Sequence, residues 1–268
     1  VLGGAKDPET GQPIAPSTFQ IEPLKDEVYD VNIVSLRNGQ SGLGAVVVLH
    51  DVSELSRLER VRRDFVANVS HELRTPLTSI KGYAETLVSS LESEHASPEG
   101  QQRFLEVILK NANQMTRMVN DLLHLARLEG GREQFTFAPA NAGSALAMAL
   151  KECHHLAEAK TIVLSSKVPE NGIRVHVDFD RLVQVFRNLI ENAIKYGASS
   201  EPVTITYAED EQHYTFAVQD GGPGIPKEDQ KRIFERFYRV EKHRAKAQGA
   251  SSGLGLAITA RIIELHGG

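Results

Sequence analysis

Two runs of apolar residues at strictly alternating spacings of four and three constrain this chain more than any other feature. Leu73, Leu77, Ile80, Ala84, Leu87 and Leu91 make the first, and Phe104, Ile108, Asn111, Met115, Met118, Leu122 and Leu125 the second. Such spacing keeps side chains on one seam of a helix, as in a coiled coil. A polar connection, ESEHASPEG, separates the runs. An αα-hairpin follows, with a stripe too wide for the hairpin to cover alone. Two copies are expected to pair as a four-helix bundle, so the chain is expected to be a homodimer. Asn111 is a polar break that can set register, and Met115 and Met118 read as core filler.

The seam also orients what lies beside it. With Leu73, Ile80 and Leu87 at d, Ser70 takes a and His71 takes b, so His71 faces water. Glu72 follows directly, and Thr75 lies one turn on, on the same face. Pro76 has no N–H and crowds the carbonyl of Glu72, which predicts a bend or loosening there. A lone surface histidine is usually just solvated. A neutral, exposed imidazole beside a carboxylate also fits a nucleophile.

At 268 residues the chain is long enough for two domains and part of a third. A net charge of −5 gives no support to nucleic-acid binding. The single Cys153 excludes a disulfide framework and fits a reducing compartment. Runs such as Ala45–Leu49 and Ala145–Leu150 are too short to span a bilayer, and no signal peptide is present, so the chain is expected not to be membrane-inserted. It opens with Val, which suggests a piece of something longer.

Residues 1–16 are rich in Gly and Pro and read as loop. Tyr29, Val31 and Ile33 alternate as a half-buried strand, and Leu43–Leu49 reads as a buried strand. Turn signals at Asn38-Gly39 and Ser41-Gly42 join them into a hairpin, with more sheet expected upstream of Val1. Ser53 is expected to cap a helix beginning at Glu54, which keeps its spacing through Leu55, Leu58, Val61, Phe65 and Val69 to His71. Beyond Gly130-Gly131, a plausible domain boundary, strands and helices alternate. Strands are expected at Phe135–Phe137, Ile162–Val168, Ile173–Val177, Val203–Tyr207 and Tyr214–Val218, and helices over Ala142–Ala159 and Asp180–Tyr196. Cys153 reads as a core residue. His154-His155 read as surface histidines, since adjacent helix positions face apart.

Four segments in the second half carry candidate chemistry. Asn188, Asn192 and Lys195 share one helix face, where amide oxygens and an ammonium can hold magnesium and phosphates. In DGGPGI, Asp220 can accept a hydrogen bond from an exocyclic amine, and Gly222 and Gly224 let the backbone approach a ligand. In IFERFYRV, Phe234 and Phe237 read as packing and Arg239 as a phosphate contact. After a polar stretch at 241–252, read as a mobile loop, Gly253 and Gly255 open a helix with free N–H groups for phosphate.

The string Ser-His-Glu-Leu-Arg-Thr-Pro-Leu at 70–77 resembles the phospho-acceptor box of sensor histidine kinases. The four later segments, in this order, resemble the boxes of that family's ATP-binding domain, which belongs to a wider class with gyrase, the mismatch-repair ATPases and a heat-shock chaperone. The strand, Asp-Val-Ser and helix at the N-terminus resemble the exit of a PAS sensor domain. The resemblance implies a multidomain chain: residues 1–52 from a PAS-like sensor, 53–130 for dimerisation and phosphotransfer, and 131–268 an α/β sandwich ATP-binding domain. It implies a kinase using ATP and Mg2+, with His71 as acceptor, Glu72 as its base and Thr75 positioning water for a phosphatase reaction. Asn192, helped by Asn188, would bind magnesium. Lys195, Tyr196 and Arg239 would contact phosphates or ribose, Asp220 the adenine, and Gly253 and Gly255 the phosphates. The implied partner is the receiver domain of a response regulator, and the implied location is the cytoplasmic side of a protein anchored in the bacterial cell membrane. The family continues into a further strand pair beyond Gly268, and Ala250-Ser251-Ser252 replace a more glycine-rich lead-in. The rival readings are a nucleotide-binding dimeric scaffold without transfer and an ATP-driven clamp.

Overall fold

A computed structural model describes residues 17–38, 42–91, 97–198, 201–240 and 252–268. The expectations for 1–16, for the turn at 39–41, for 92–96 and for the loop at 241–251 lie outside the described residues. The chain forms two compact units, divided between Ser70 and His71.

The first unit is built on a three-stranded antiparallel sheet, in the order β1 (Ser17–Ile21), β2 (Tyr29–Asn38) and β3 (Gly42–Asp51). Val31 stands opposite Leu49, and Tyr29 opposite both Ile21 and Asp51. β1 has no counterpart in the sequence reading, because STFQI alternates too weakly to stand out. β3 is a strand as expected, but Val46, Val47, Val48 and Leu49 are 44–59% exposed rather than buried. A continuous apolar run implies cover on both faces, and the described residues supply none for this one. The helix cap is also different from the expected one. The Asp51 carboxylate accepts from Ser53 N at 2.9 Å and Ser53 Oγ at 2.6 Å. The Ser53 oxygen accepts from Val28 N instead, so Ser53 ties the helix start to the residue just before β2.

That helix, α1, runs unbroken over Ser53–Leu91, through Pro76, which is buried. The expected loosening does not interrupt it, because the missing N–H removes a single bond from a long ladder. In the second unit α1 is followed by α2 (Pro98–Glu129). Ser97 Oγ caps α2 by accepting from Gly100 N, and Pro98 occupies the first helical position, where no N–H is needed. Tyr83 and Phe104 bring the two helices together, with ring centroids 5.8 Å apart. Met118 and Leu125 are buried, as the seam predicts. Asn111 satisfies its amide within its own helix, donating to Val107 O at 2.8 Å. Gly131, at φ +62°, lets the chain turn out of α2.

The α/β part has two small sheets. β4 (Ala138–Asn141) pairs antiparallel with β6 (Arg174–Val177). β7 (Val203–Glu209) sits between β5 (Leu164–Ser166), which is parallel to it, and β8 (Tyr214–Gln219), which is antiparallel. The helices are α3 (Ala142–Glu158), α4 (Phe179–Tyr196) and α5 (Gly255–Leu265). The strand expected at Phe135–Phe137 is instead β4, three residues on. The alternation of the two rings serves aromatic packing: both lie against His266, at 5.2 and 5.0 Å, and Phe137 stacks on His176. The core joins Leu146, Ala149 and Cys153 of α3 to Phe186, Ile190 and Ile194 of α4 and to Ile205 of β7. Burial pushes the Cys153 thiol up to about 11. Among the described residues no helix is long and apolar enough to cross a membrane.

Candidate functional site

α4 positions the first group of candidate residues. Asp178 caps it by accepting from Arg181 N, and Phe186, Ile190 and Ile194 anchor its inner face. The adjacent face then presents Asn188, Asn192, Lys195 and Tyr196 to a cleft of about 860 Å³. All ten nucleotide-site candidates line this cleft: Asp220, Gly222, Gly224 and Arg239 come from the loops, and Gly253 and Gly255 from the start of α5. Residues from four distant segments thus share one concave surface.

Local contacts explain the shape. Asn188 Nδ2 donates to Gly255 O at 3.2 Å and Thr259 Oγ1 at 3.3 Å, which ties α4 to the first turn of α5. Its amide oxygen is not used in either bond. Asn192 makes no side-chain hydrogen bond among the described residues, so two amide oxygens are available to a hard cation, which takes oxygen donors. Lys195 pairs with Glu191 at 3.0 Å. Lys160 Nζ caps the end of α4, donating to the carbonyls of Ile194 and Lys195 at 3.0 Å each. Asp220 Oδ1 accepts from Gly222 N at 2.7 Å. A Cβ on Gly222 would lie 2.7 Å from Tyr196 O, so only glycine lets this loop press against the end of α4.

At the other end, Gly253 at φ +68° lies against Phe237, itself at φ +62°. Phe237 N donates to Gly253 O at 3.0 Å. The two phenylalanines read as packing residues divide: Phe237 is buried, while Phe234 is 49% exposed and lines the cleft. α5 begins without a side-chain cap, since Leu254 precedes it. The N–H groups of its first turn are therefore not occupied by a capping side chain, as an anion site at a helix start requires.

One wall was not anticipated. Lys110, Gln114, Arg117 and Asp121 of α2 also line the cleft. Their spacing of four, three and four is a stripe beside the seam, which from sequence alone reads as a solvated face. Asp121 accepts from Ser252 Oγ at 3.0 Å, and burial raises its carboxyl above the ordinary range.

His71 lies elsewhere. It is exposed on α1, as its seam position requires, and is not among the residues lining the cleft. Glu72 beside it is half-buried, and Thr75 Oγ1 donates to His71 O at a long 3.4 Å. The candidates therefore form two groups, His71, Glu72 and Thr75 on α1 and the ten cleft residues. His154 and His155 sit on the surface of α3 beside Glu158, and the described residues hold no cluster of His, Cys, Asp and Glu suited to a metal.

The profile described as the His Kinase A (phospho-acceptor) domain matches residues 61–131, and that described as the histidine kinase-, DNA gyrase B-, and HSP90-like ATPase matches 177–268. Sensor protein kinase WalK of Staphylococcus saprophyticus is 40% identical over 227 residues, covering 84% of this chain and 36% of that protein. The chain thus spans about a third of the length of such curated relatives. Among solved structures, full-length ShkA in complex with AMPPNP aligns with a TM-score of 0.50 at 28% identity, over 74% of this chain and 40% of that one. Histidine kinase ThkA in complex with response regulator protein TrrA aligns with a TM-score of 0.56 at 22% identity, over 84% and 68% of the two chains, a likeness of fold.

Proposed function

The chain belongs to the sensor histidine kinases of two-component systems, and we propose from this that it is the catalytic part of an ATP-dependent protein histidine kinase. The observation that carries the reading is the convergence of ten residues from four segments on one cleft of nucleotide size. ShkA, related at 28% identity, was solved with the ATP analogue AMPPNP, which supports ATP as the ligand here. In this reading Asp220 accepts from the adenine amine, and Lys195, Tyr196 and Arg239 contact phosphates or ribose. Gly253 and Gly255 offer backbone N–H groups to the phosphates. Asn192, with Asn188, would hold magnesium through amide oxygens. The ion would neutralise phosphate charge, and one or two protein ligands are enough for an ion that keeps water and phosphate oxygens.

A nitrogen lone pair of neutral His71 forms the N–P bond to the γ-phosphorus as the bond to the ADP oxygen breaks in line. Glu72 takes the proton that the imidazole gives up. Positioning and charge neutralisation supply most of the acceleration. The phosphoryl group then passes to an aspartate of a response-regulator receiver domain, and Thr75 positions the water that hydrolyses that aspartyl phosphate to inorganic phosphate in the separate phosphatase role. The chain acts as a homodimer through the α1 and α2 seams, at the cytoplasmic face of a membrane-anchored protein, with the N-terminal sheet as part of a PAS-like sensor. The three domains are proposed as 1–52, 53–130 and 131–268.

Incubation with γ-labelled ATP and magnesium, beside His71→Gln, tests this. An acid-labile, alkali-stable label on the wild type that is absent from the variant is the expected result. Label that persists in His71→Gln, or ATP binding without any label, would refute the transfer reading.

A further inference from the structure

The cleft offers a phosphate-bearing ligand more than the residues already assigned to it. Six cationic side chains line it: Lys110, Arg117, Lys160, Arg187, Lys195 and Arg239. Three are occupied. Lys195 pairs with Glu191 at 3.0 Å, Arg187 with Glu152 at 3.4 Å, and Lys160 caps two carbonyls of α4. Lys110, Arg117 and Arg239 form no ion pair or side-chain hydrogen bond among the described residues. Arg239 belongs to the nucleotide site already proposed, and the other two come from α2.

α2 presents them in a definite way. Lys110 and Arg117 are two turns apart, about 10 Å along the axis, with Gln114 between them on the same stripe. Both ends are long and flexible enough to converge on one polyanion. One turn beyond Arg117, Asp121 accepts from Ser252, the residue before Gly253. This contact sets the α2 stripe beside the glycine-rich start of α5, where phosphates are expected. A cation facing a cleft with no carboxylate partner is costly to approach with another cation and favourable to approach with an anion. Arginine in particular matches phosphate oxygens with two parallel N–H donors.

We infer that Lys110 and Arg117 of α2 bind the polyphosphate of the nucleotide held in this cleft. The helix that carries the dimer seam is then also a wall of the nucleotide site. The inference rests on the ATP reading above and adds two binding residues to it.

The test is calorimetric titration of the full chain with magnesium–ATP and, separately, with adenosine. Each of Lys110→Ala and Arg117→Ala should weaken ATP about tenfold, the size of a lost charge-assisted hydrogen bond. Adenosine affinity should not move, which also shows that the cleft is intact. Arg117→Lys should recover only part of the loss, since it keeps the charge but not the two-donor fork. Lys151→Ala, on the exposed surface of α3 away from the cleft, should change nothing. Unchanged or tighter ATP binding in both alanine variants would overturn the inference and leave the ATP reading standing. An equal loss for adenosine would also overturn it, because the effect would not be on phosphate. Failure of the wild type to bind ATP would overturn the reading itself and this inference with it.

Discussion

Gly253 and Gly255 read alike in the sequence, yet alanine should be costly at the first and nearly neutral at the second. Gly253 has φ +68°, and an added Cβ would lie 2.9 Å from Phe237 Cα, 3.0 Å from its carbonyl carbon and 3.2 Å from its oxygen. The left-handed backbone costs an alanine about 1–2 kcal/mol. The clash is with backbone that no rotamer change can move, and overpacking of this kind costs a further 1–3 kcal/mol or so. Gly253→Ala should therefore cost about 2–5 kcal/mol in all. The energy can emerge in two ways. If Gly253 shifts in place, stability falls. If Phe237 gives way, Arg239 two residues on is displaced from the cleft and ATP affinity falls instead, tenfold for about each 1.4 kcal/mol. At Gly255 a Cβ would meet only Asn188, at 3.9 Å, which is ordinary contact, and no left-handed backbone is involved. Gly255→Ala should leave stability within about 0.5 kcal/mol of wild type. Urea unfolding followed by far-ultraviolet circular dichroism, together with ATP titration, measures both costs in both variants. Gly253→Ala matching wild type in both measurements, or Gly255→Ala proving the less stable of the two, would refute the steric argument.

Two further outcomes follow from buried titratable groups. The Cys153 thiol, raised to about 11 by burial, should react with a disulfide reagent at pH 8 only as fast as the α/β part opens. Rapid labelling in the absence of denaturant would show that it is not buried as described. His124 accepts from Gln184 Nε2 at Nδ1, 3.2 Å away, so its proton sits on Nε2 in that arrangement. Burial first, then Arg181, lowers its pKa against the opposing pull of Glu133. A base with a lowered folded pKa binds its proton more readily when unfolded, so stability should fall as pH drops below the unfolded value of about 6.5. Unfolding measured between pH 7 and 5.5 should show a flatter profile for His124→Asn than for wild type, and equal slopes would count against the linkage.

The parts of the fold that were legible in sequence are those whose periodicity has one cause. The α2 seam and the inner face of α4 reflect burial, and Met118, Leu125, Phe186 and Ile190 are all buried, whereas Leu77 and Leu91 of the α1 seam are exposed in the single chain. The misreadings came where one pattern has two possible causes. Phe135 and Phe137 alternate like a strand, but His266 from the far end of the chain is what orders them. The valines of β3 read as doubly buried, yet cover is a property of neighbours, which a strand's own letters do not contain. Ser53 looked like a cap because it precedes an acidic residue and a helical run, whereas Asp51 two residues earlier has the geometry and Ser53 serves the residue just before β2.

The candidate site divides along the same line. Each of the four segments alone also reads as a solvated face or a turn, and the residues could be named before their meeting place was known because the four in order resemble the boxes of a histidine-kinase ATP-binding domain. The α2 stripe had no such mark. Lys110, Gln114, Arg117 and Asp121 are ordinary surface residues by type, and only the packing of α2 on the α/β part gives them a cleft to face. Their contribution is also the easiest to mistake for solvation, because an unpaired cation on a helix looks the same in sequence whether it faces water or a phosphate. What separates the two cases is the state of the other cations around it. With Arg187 and Lys160 already engaged and Lys195 shared with Glu191, a polyanion entering the cleft would meet Lys195 and Arg239 from one side and α2 from another. ATP affinity in this unit should therefore depend on how α2 is held, so variants that loosen the Asp121–Ser252 contact, such as Asp121→Ala, bear on nucleotide binding as directly as variants inside the α/β part.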